Sequence, residues 1–260
     1  MNIFKRAWLR DIIHRHAIPH KLWMKVTSKL VLLHNLTAVE KAHLRELSTL
    51  FLHEKNFVGA QGLDLTQAMT VNIAVQACLP VLKLGFKHLS GWTDVIVYPT
   101  AFRISRDSVD AAGVVHHEEQ VLVGESWSRG PLIVSWAEIE QDGLATHAGR
   151  NVVIHETAHK LDVLNGRMNG FPPLNAGMSA PEWTAALSEA YQHLVTRVGH
   201  HHDTGIDPYA ASSPAEFFAV ASEYFFCSPE TLQTQFPEVY QQLQLYYRQN
   251  PLLRQPCRMG

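Results

Sequence analysis

The chain has 260 residues, 46% of them hydrophobic and 18% charged, with 22 basic against 24 acidic side chains and a formal net charge of -2. A chain of this length buries a sizeable core in one large domain, or in a small one joined to a main one. The near-neutral balance, with a pI near 6.8, gives no electrostatic reason to expect nucleic acid or an anionic membrane as a direct ligand, and no window approaches the about 20 apolar residues of a membrane span.

Met1-Asn2-Ile3-Phe4 is followed at once by Lys5-Arg6, with no apolar core of signal-peptide length after it. The early basic residues (Lys5, Arg6, Arg10, Arg15, Lys21, Lys25, Lys29) alternate with apolar ones at helical spacing, the pattern of a solvated helix face. From His20 to about Leu89 the pattern is helical. Thr37-Ala38-Val39-Glu40 reads as a capping box opening a helix with Leu44, Leu47, Leu50 and Phe51 on one side, and Thr66 caps a second helix running through Ile73 and Val81. Between Asp94 and Ile139 the texture changes to short β-rich runs: Asp94–Tyr98, Gln120–Gly124 and Pro131–Trp136.

Next comes His155-Glu156-Thr157-Ala158-His159. On a helix this spacing sets two imidazoles one turn apart on one face, as zinc chelation requires, and places Glu156 beside a ligand where it can reach a metal-bound water. The flanking Asn151–Ile154 and Lys160–Leu164 make a buried helix, stopped at Asn165-Gly166. A Pro/Gly/Asn-rich stretch to Gly177, a helix from about Pro181 to Val198 ended by Gly199, a loop from His200 to Ser213, and helices begun at Ser213-Pro214 and Ser228-Pro229 complete the chain. Tyr240, Tyr246 and Tyr247 stand in the tail at a spacing that suits packing against the domain. A helical N-terminal part, residues 1–90, thus leads into an α+β part, residues 91–260, in one compact unit. Cys78, Cys227 and Cys257 are odd in number, widely spaced and in no cluster, which fits a reducing cytoplasm.

A catalytic zinc takes three protein ligands and keeps a fourth position for water, so a third ligand is needed beyond His155 and His159. Glu216 stands in the first turn of its helix and Glu223 two turns later on the same face, but Ser213-x-x-Glu216 is also a capping box. Asp162 shares the face of the two His, where it can accept the N–H of a ligating imidazole or pair with Arg167. Asp207 is the rival ligand from a loop, and His200-His201-His202 diverge in direction, as in a solvated loop.

Taken with Asp207-Pro208-Tyr209, Glu216-Phe217-Phe218-Ala219-Val220, Glu223 and Phe225-Phe226, the segment His155–Asp162 resembles the Mlc titration factor A family. Trp92, Tyr98, Pro99 and the β run near Gly130 extend the likeness over most of the chain. The resemblance implies a zincin-like metallopeptidase domain, with a small mixed sheet and an active-site helix. It implies a cytoplasmic zinc-dependent peptidase, of aminopeptidase type, that also binds the glucose-responsive repressor Mlc and so regulates the sugar phosphotransferase system. It further implies one zinc per chain on His155, His159 and Glu216, with Glu156 as general base and Tyr209 at the active site. A Tyr seven residues before a Glu ligand is similarly found in the catalytic domain of the bacterial toxin called lethal factor. The alternative is a non-catalytic protein that sequesters the repressor around a structural zinc. The run Leu132–Trp136 serves either as an edge strand that pairs with an extended peptide or as a central core strand.

Overall fold

The computed structural model describes residues 11–34, 36–100, 106–109, 115–118, 130–142 and 149–254. Lys5, Arg6, Arg10, the run Gln120–Gly124 and Cys257 lie outside the described residues.

Three helices dominate the first part: α1 (His20–Thr27), α2 (Ala38–Glu54) and α3 (Gln67–Cys78). The Thr37 hydroxyl accepts the Glu40 N–H while the Glu40 carboxylate accepts the Thr37 N–H, so the capping box at the start of α2 is complete. Its apolar stripe, Leu44, Leu47 and Phe51, faces inward against α3. Thr66 caps α3, which is buried almost throughout from Val71 to Cys78.

The helical reading of residues 20–89 misses one element. Strand β1 (Asn56–Gly59) lies between α2 and α3 and pairs in parallel with β2 (Asp94–Tyr98), Phe57 opposite Val95 and Val58 opposite Ile96. The buried ammonium of Lys55 fixes the start of β1 by donating to the carbonyls of Leu89 and Trp92, at 2.6 and 2.5 Å. Gly59 ends it where a Cβ would lie 1.9 Å from the Leu63 carbonyl oxygen, an approach only glycine permits.

On the other side β2 pairs in parallel with β5 (Leu132–Ser135), giving the order β1-β2-β5. Val95, Val97, Leu132 and Val134 are buried at the centre. Strands β3 (Arg106–Val109) and β4 (Val115–Glu118) form a separate antiparallel pair. The described strands therefore make a small all-parallel sheet plus a hairpin, rather than one mixed sheet. Among the described residues β5 is both an edge strand by pairing and a core strand by burial, so the two readings of this run merge.

Directly after β5 come α4 (Trp136–Asp142) and then α5 (Val152–Asp162), which packs on β5, on α3 and along α7 (Pro214–Cys227). Every residue from Ala215 to Phe226 is buried, Glu216, Ser222 and Glu223 among them, as expected of a mostly apolar helix central to its domain. Helices α6 (Ala180–Gly199), α8 (Pro229–Gln235) and α9 (Pro237–Tyr247) enclose it. The tail tyrosines Tyr240, Tyr246 and Tyr247 are buried, and the Tyr247 hydroxyl donates to Ser222 Oγ at 2.8 Å. Core residues from Leu44 and Ile73 through Ile154 and Phe218 to Tyr247 form one contiguous cluster. Among the described residues no helix is long and apolar enough to cross a membrane.

Candidate metal centre

Asn151 opens α5: its side-chain oxygen accepts the Ile154 N–H at 2.9 Å, while Asp142 accepts the Val152 N–H at 2.7 Å. Burial pushes the Asp142 carboxyl up to about 6, against the pull of that N–H. With Val153, Ile154, Ala158 and Leu161 buried in the core, the opposite face of α5 presents His155 and His159. Their Nε2 atoms are 3.1 Å apart.

Glu216 reaches the same point from the first turn of α7. The Ser213 hydroxyl caps this helix by accepting the Glu216 N–H at 3.2 Å, yet the Glu216 side chain does not close the box. Instead its Oε2 lies 3.1 Å from His155 Nε2 and 3.4 Å from His159 Nε2. Ligand atoms bound to one tetrahedral zinc at about 2.0–2.1 Å are about 3.3 Å apart, so this triangle has the size of a zinc site. Glu216 Oε2 is buried without a hydrogen-bond partner, an arrangement that is costly unless a cation completes it. Among the described residues no other group of three or more His, Cys, Asp or Glu side chains converges in this way.

The electrostatics agree. Burial opposes charge on His155, but the Glu216 and Glu223 carboxylates, one at each ring nitrogen, hold its pKa well above the ordinary imidazole value. Burial likewise opposes charge on Glu216, but His155 and His159 hold it well below the usual carboxylate range. The centre thus has a strong affinity for positive charge.

Glu223, two turns along α7, stands behind His155. Its Oε1 is 2.7 Å from His155 Nδ1, and its Oε2 accepts the Asn151 N–H. Because a carboxylate only accepts, Nδ1 keeps its proton toward Glu223, which leaves Nε2 as the nitrogen that would bind a cation in the centre. Asp162, whose spacing suggests a place behind a ligating His, also ties down a loop. Its Oδ2 accepts the Gly170 N–H at 2.7 Å, and burial raises its pKa to about 6 despite that bond. It therefore anchors the loop at Gly170, whose φ of 74° and 2.4 Å Cβ approach to the Pro214 carbonyl exclude other residues.

Asp207 is also outside the triangle. One oxygen accepts the Tyr209 N–H at 2.9 Å and the other is 4.0 Å from Arg150 Nε. That turn brings the Tyr209 ring, about half exposed, to 6.2 Å from the His155 ring. A cleft of about 470 Å³ opens beside the centre at His155, lined also by Glu156, Tyr209, Glu223 and the β5 residues Ile133, Val134 and Ser135. The His200–His202 tract is exposed and contributes nothing to the centre. Sequence reasoning missed Asp142 and Gln76, which holds the Asn151 amide. The one available signal for Gln76 is a pair of amides, Asn72 and Gln76, four apart in the otherwise apolar run Val71–Cys78.

Two imidazoles from one helix, a carboxylate from a second and a cleft beside His155 and Glu156 define the class: a metallopeptidase-like centre of the His-Glu-x-x-His type. The chain belongs to the glucose-regulated metallo-peptidase M90 family, whose pattern it matches over residues 4–248. It is 42% identical over 226 residues to Mlc titration factor A of Yersinia pestis (strain Pestoides F), covering 86% of this chain and 83% of that one. The same figures hold for Mlc titration factor A of Yersinia pseudotuberculosis serotype O:1b (strain IP 31758). The resemblance carried by the motifs is thereby borne out.

Proposed function

We propose that the chain is a zinc-dependent peptidase in which His155, His159 and Glu216 hold one zinc per chain, and that the triangle of their three ligand atoms is the observation that carries this reading. Zinc held by such a set supplies a water of lowered pKa and polarises the scissile carbonyl. Glu156, next to His155 on the cleft, takes the proton of the attacking water and passes it to the leaving amine. Tyr209 donates its O–H to the oxygen that gains negative charge. An extended substrate lies along β5, at the edge of the described sheet. Asp162 Oδ2 and Asp207 are engaged away from the triangle, and among the described residues no fourth His, Cys, Asp or Glu joins it, which favours catalysis over a closed structural site.

Removal of N-terminal residues is the narrower form of this proposal. The relatives are named as titration factors of Mlc, and we extend that binding to this chain, with the repressor as protein partner and regulation of sugar uptake as the outcome. The free thiols Cys78 and Cys227 suit the reducing cytoplasm in which we place both activities.

The test is zinc content together with hydrolysis of amino-acid chromogenic amides and longer peptides, for wild type and Glu156→Gln in parallel. The variant should keep its zinc and lose turnover. Retained hydrolysis would remove Glu156 from the mechanism, and zinc without turnover of any substrate in the wild type would move the function to repressor binding alone.

A further inference from the structure

We infer that Gln76, on α3, is a positioning residue for the metal centre and that it fixes the His155 imidazole through Asn151 and Glu223. The inference rests on the zinc reading above and adds a third helix to it. Four side chains from three helices and the residue that opens one of them are joined in a single run of hydrogen bonds. Asn72 accepts from the Gln76 amide. Gln76 Oε1 accepts from Asn151 Nδ2 at 2.5 Å. The Asn151 backbone N–H donates to Glu223 Oε2 at 2.5 Å, and Glu223 Oε1 receives His155 Nδ1–H at 2.7 Å.

Gln76, Asn151 and Glu223 are 3%, 3% and 7% exposed, so water does not replace a partner that is lost. Each link has one sense. Asn151 spends its side-chain oxygen on the Ile154 N–H, leaving only its NH₂ for Gln76, and the two Glu223 oxygens are divided between Asn151 and His155. The rotation of Asn151 is therefore held at both ends, and with it the backbone N–H that orients the Glu223 carboxylate. An imidazole held by such a partner presents Nε2 in a fixed direction, and partners behind metal-ligating His are worth about 10–100-fold in metal affinity.

The zinc affinity of the full chain, read by competition with a chromogenic chelator, tests this, with thermal unfolding of the zinc-free protein as the check on folding. Gln76→Met keeps the volume and removes both hydrogen bonds, and should weaken zinc binding about tenfold. Asn151→Ser keeps an oxygen to cap α5 but is too short to reach Gln76. It should show a similar loss, and the double variant should show little more, since both act on one run of bonds. Ile73→Val, fully buried on the same helix, should lower the unfolding temperature without weakening zinc binding.

Wild-type affinity in folded Gln76→Met, or an equal loss in Ile73→Val, would overturn the positioning role. If Gln76→Met does not fold, Asn151→Ser decides, and wild-type affinity there has the same meaning. A wild type that binds no zinc would overturn the function reading itself, whereas zinc bound equally by all variants would overturn this inference alone.

Discussion

Tyr209 reaches the centre from a turn built for it. Asp207 accepts the Tyr209 N–H, the Tyr209 carbonyl accepts the Ser212 N–H at 3.0 Å, and the ring stops 6.2 Å from that of His155 while half of its surface stays open to the cleft. In the proposed mechanism this hydroxyl supports a developing oxyanion without holding the metal. Tyr209→Phe should therefore lower kcat about 10²-fold with zinc content unchanged. Steady-state kinetics on a chromogenic amide, beside metal analysis, checks this, and a variant that loses zinc as well would assign Tyr209 a structural role. Single residues also show how far the sequence speaks. The pair His155 and His159 is legible because helical spacing alone brings the two rings to one face. Glu216 is ambiguous in sequence because Ser-x-x-Glu fits both a capping box and a ligand, and only the packing of α7 along α5 turns its carboxylate to the imidazoles. Asp162 is ambiguous for the same reason: sharing a face with the His pair does not determine which neighbours it meets, and one of its oxygens goes to the Gly170 loop.

At the scale of elements, those that declare themselves locally are legible. The capping box at Thr37, the Thr66 cap, the Ser179 cap of α6 and the Ser213-Pro214 start of α7 all open helices where the sequence marks them. Strand β1 is not legible. It has four residues in an exposed-intermediate alternation, lies between two long helices, and owes its form to pairing with β2, some 38 residues on in the register Asn56 to Asp94. The parallel character of the sheet is hidden likewise, since strand direction follows from the helices that connect the strands. The outer support of the metal centre is the least legible part. Gln76 and Asn151 are 75 positions apart, and no local pattern links them.

Across the whole molecule, Arg254, the last described residue, is tied to α2 near its start. Glu40 receives the Thr37 N–H at 3.1 Å, lies 3.1 Å from Lys83 Nζ and accepts from Arg254 Nη2 at 3.3 Å. Burial alone raises its pKa, but the Thr37 N–H, Lys83 and Arg254 outweigh burial and bring it from the ordinary 4.5 down to about 2. A lowered carboxyl pKa stabilises the fold at every pH above 4.5, and that stabilisation disappears as pH falls toward 2. After allowance for solvent at the half-exposed Lys83, Glu40→Gln should cost about 2 kcal/mol at pH 7 and almost nothing at pH 2. Urea unfolding of both proteins across that range would show the gap closing, and a gap constant with pH would contradict the ion-pair account.

The central claim concerns three atoms, and the most direct measurement is a zinc-edge anomalous diffraction map of the purified protein, with metal content determined on the same sample. The expected result is one zinc per chain, bonded to His155 Nε2, His159 Nε2 and Glu216 Oε2. Zinc bound elsewhere, or none after reconstitution with the metal, would contradict it.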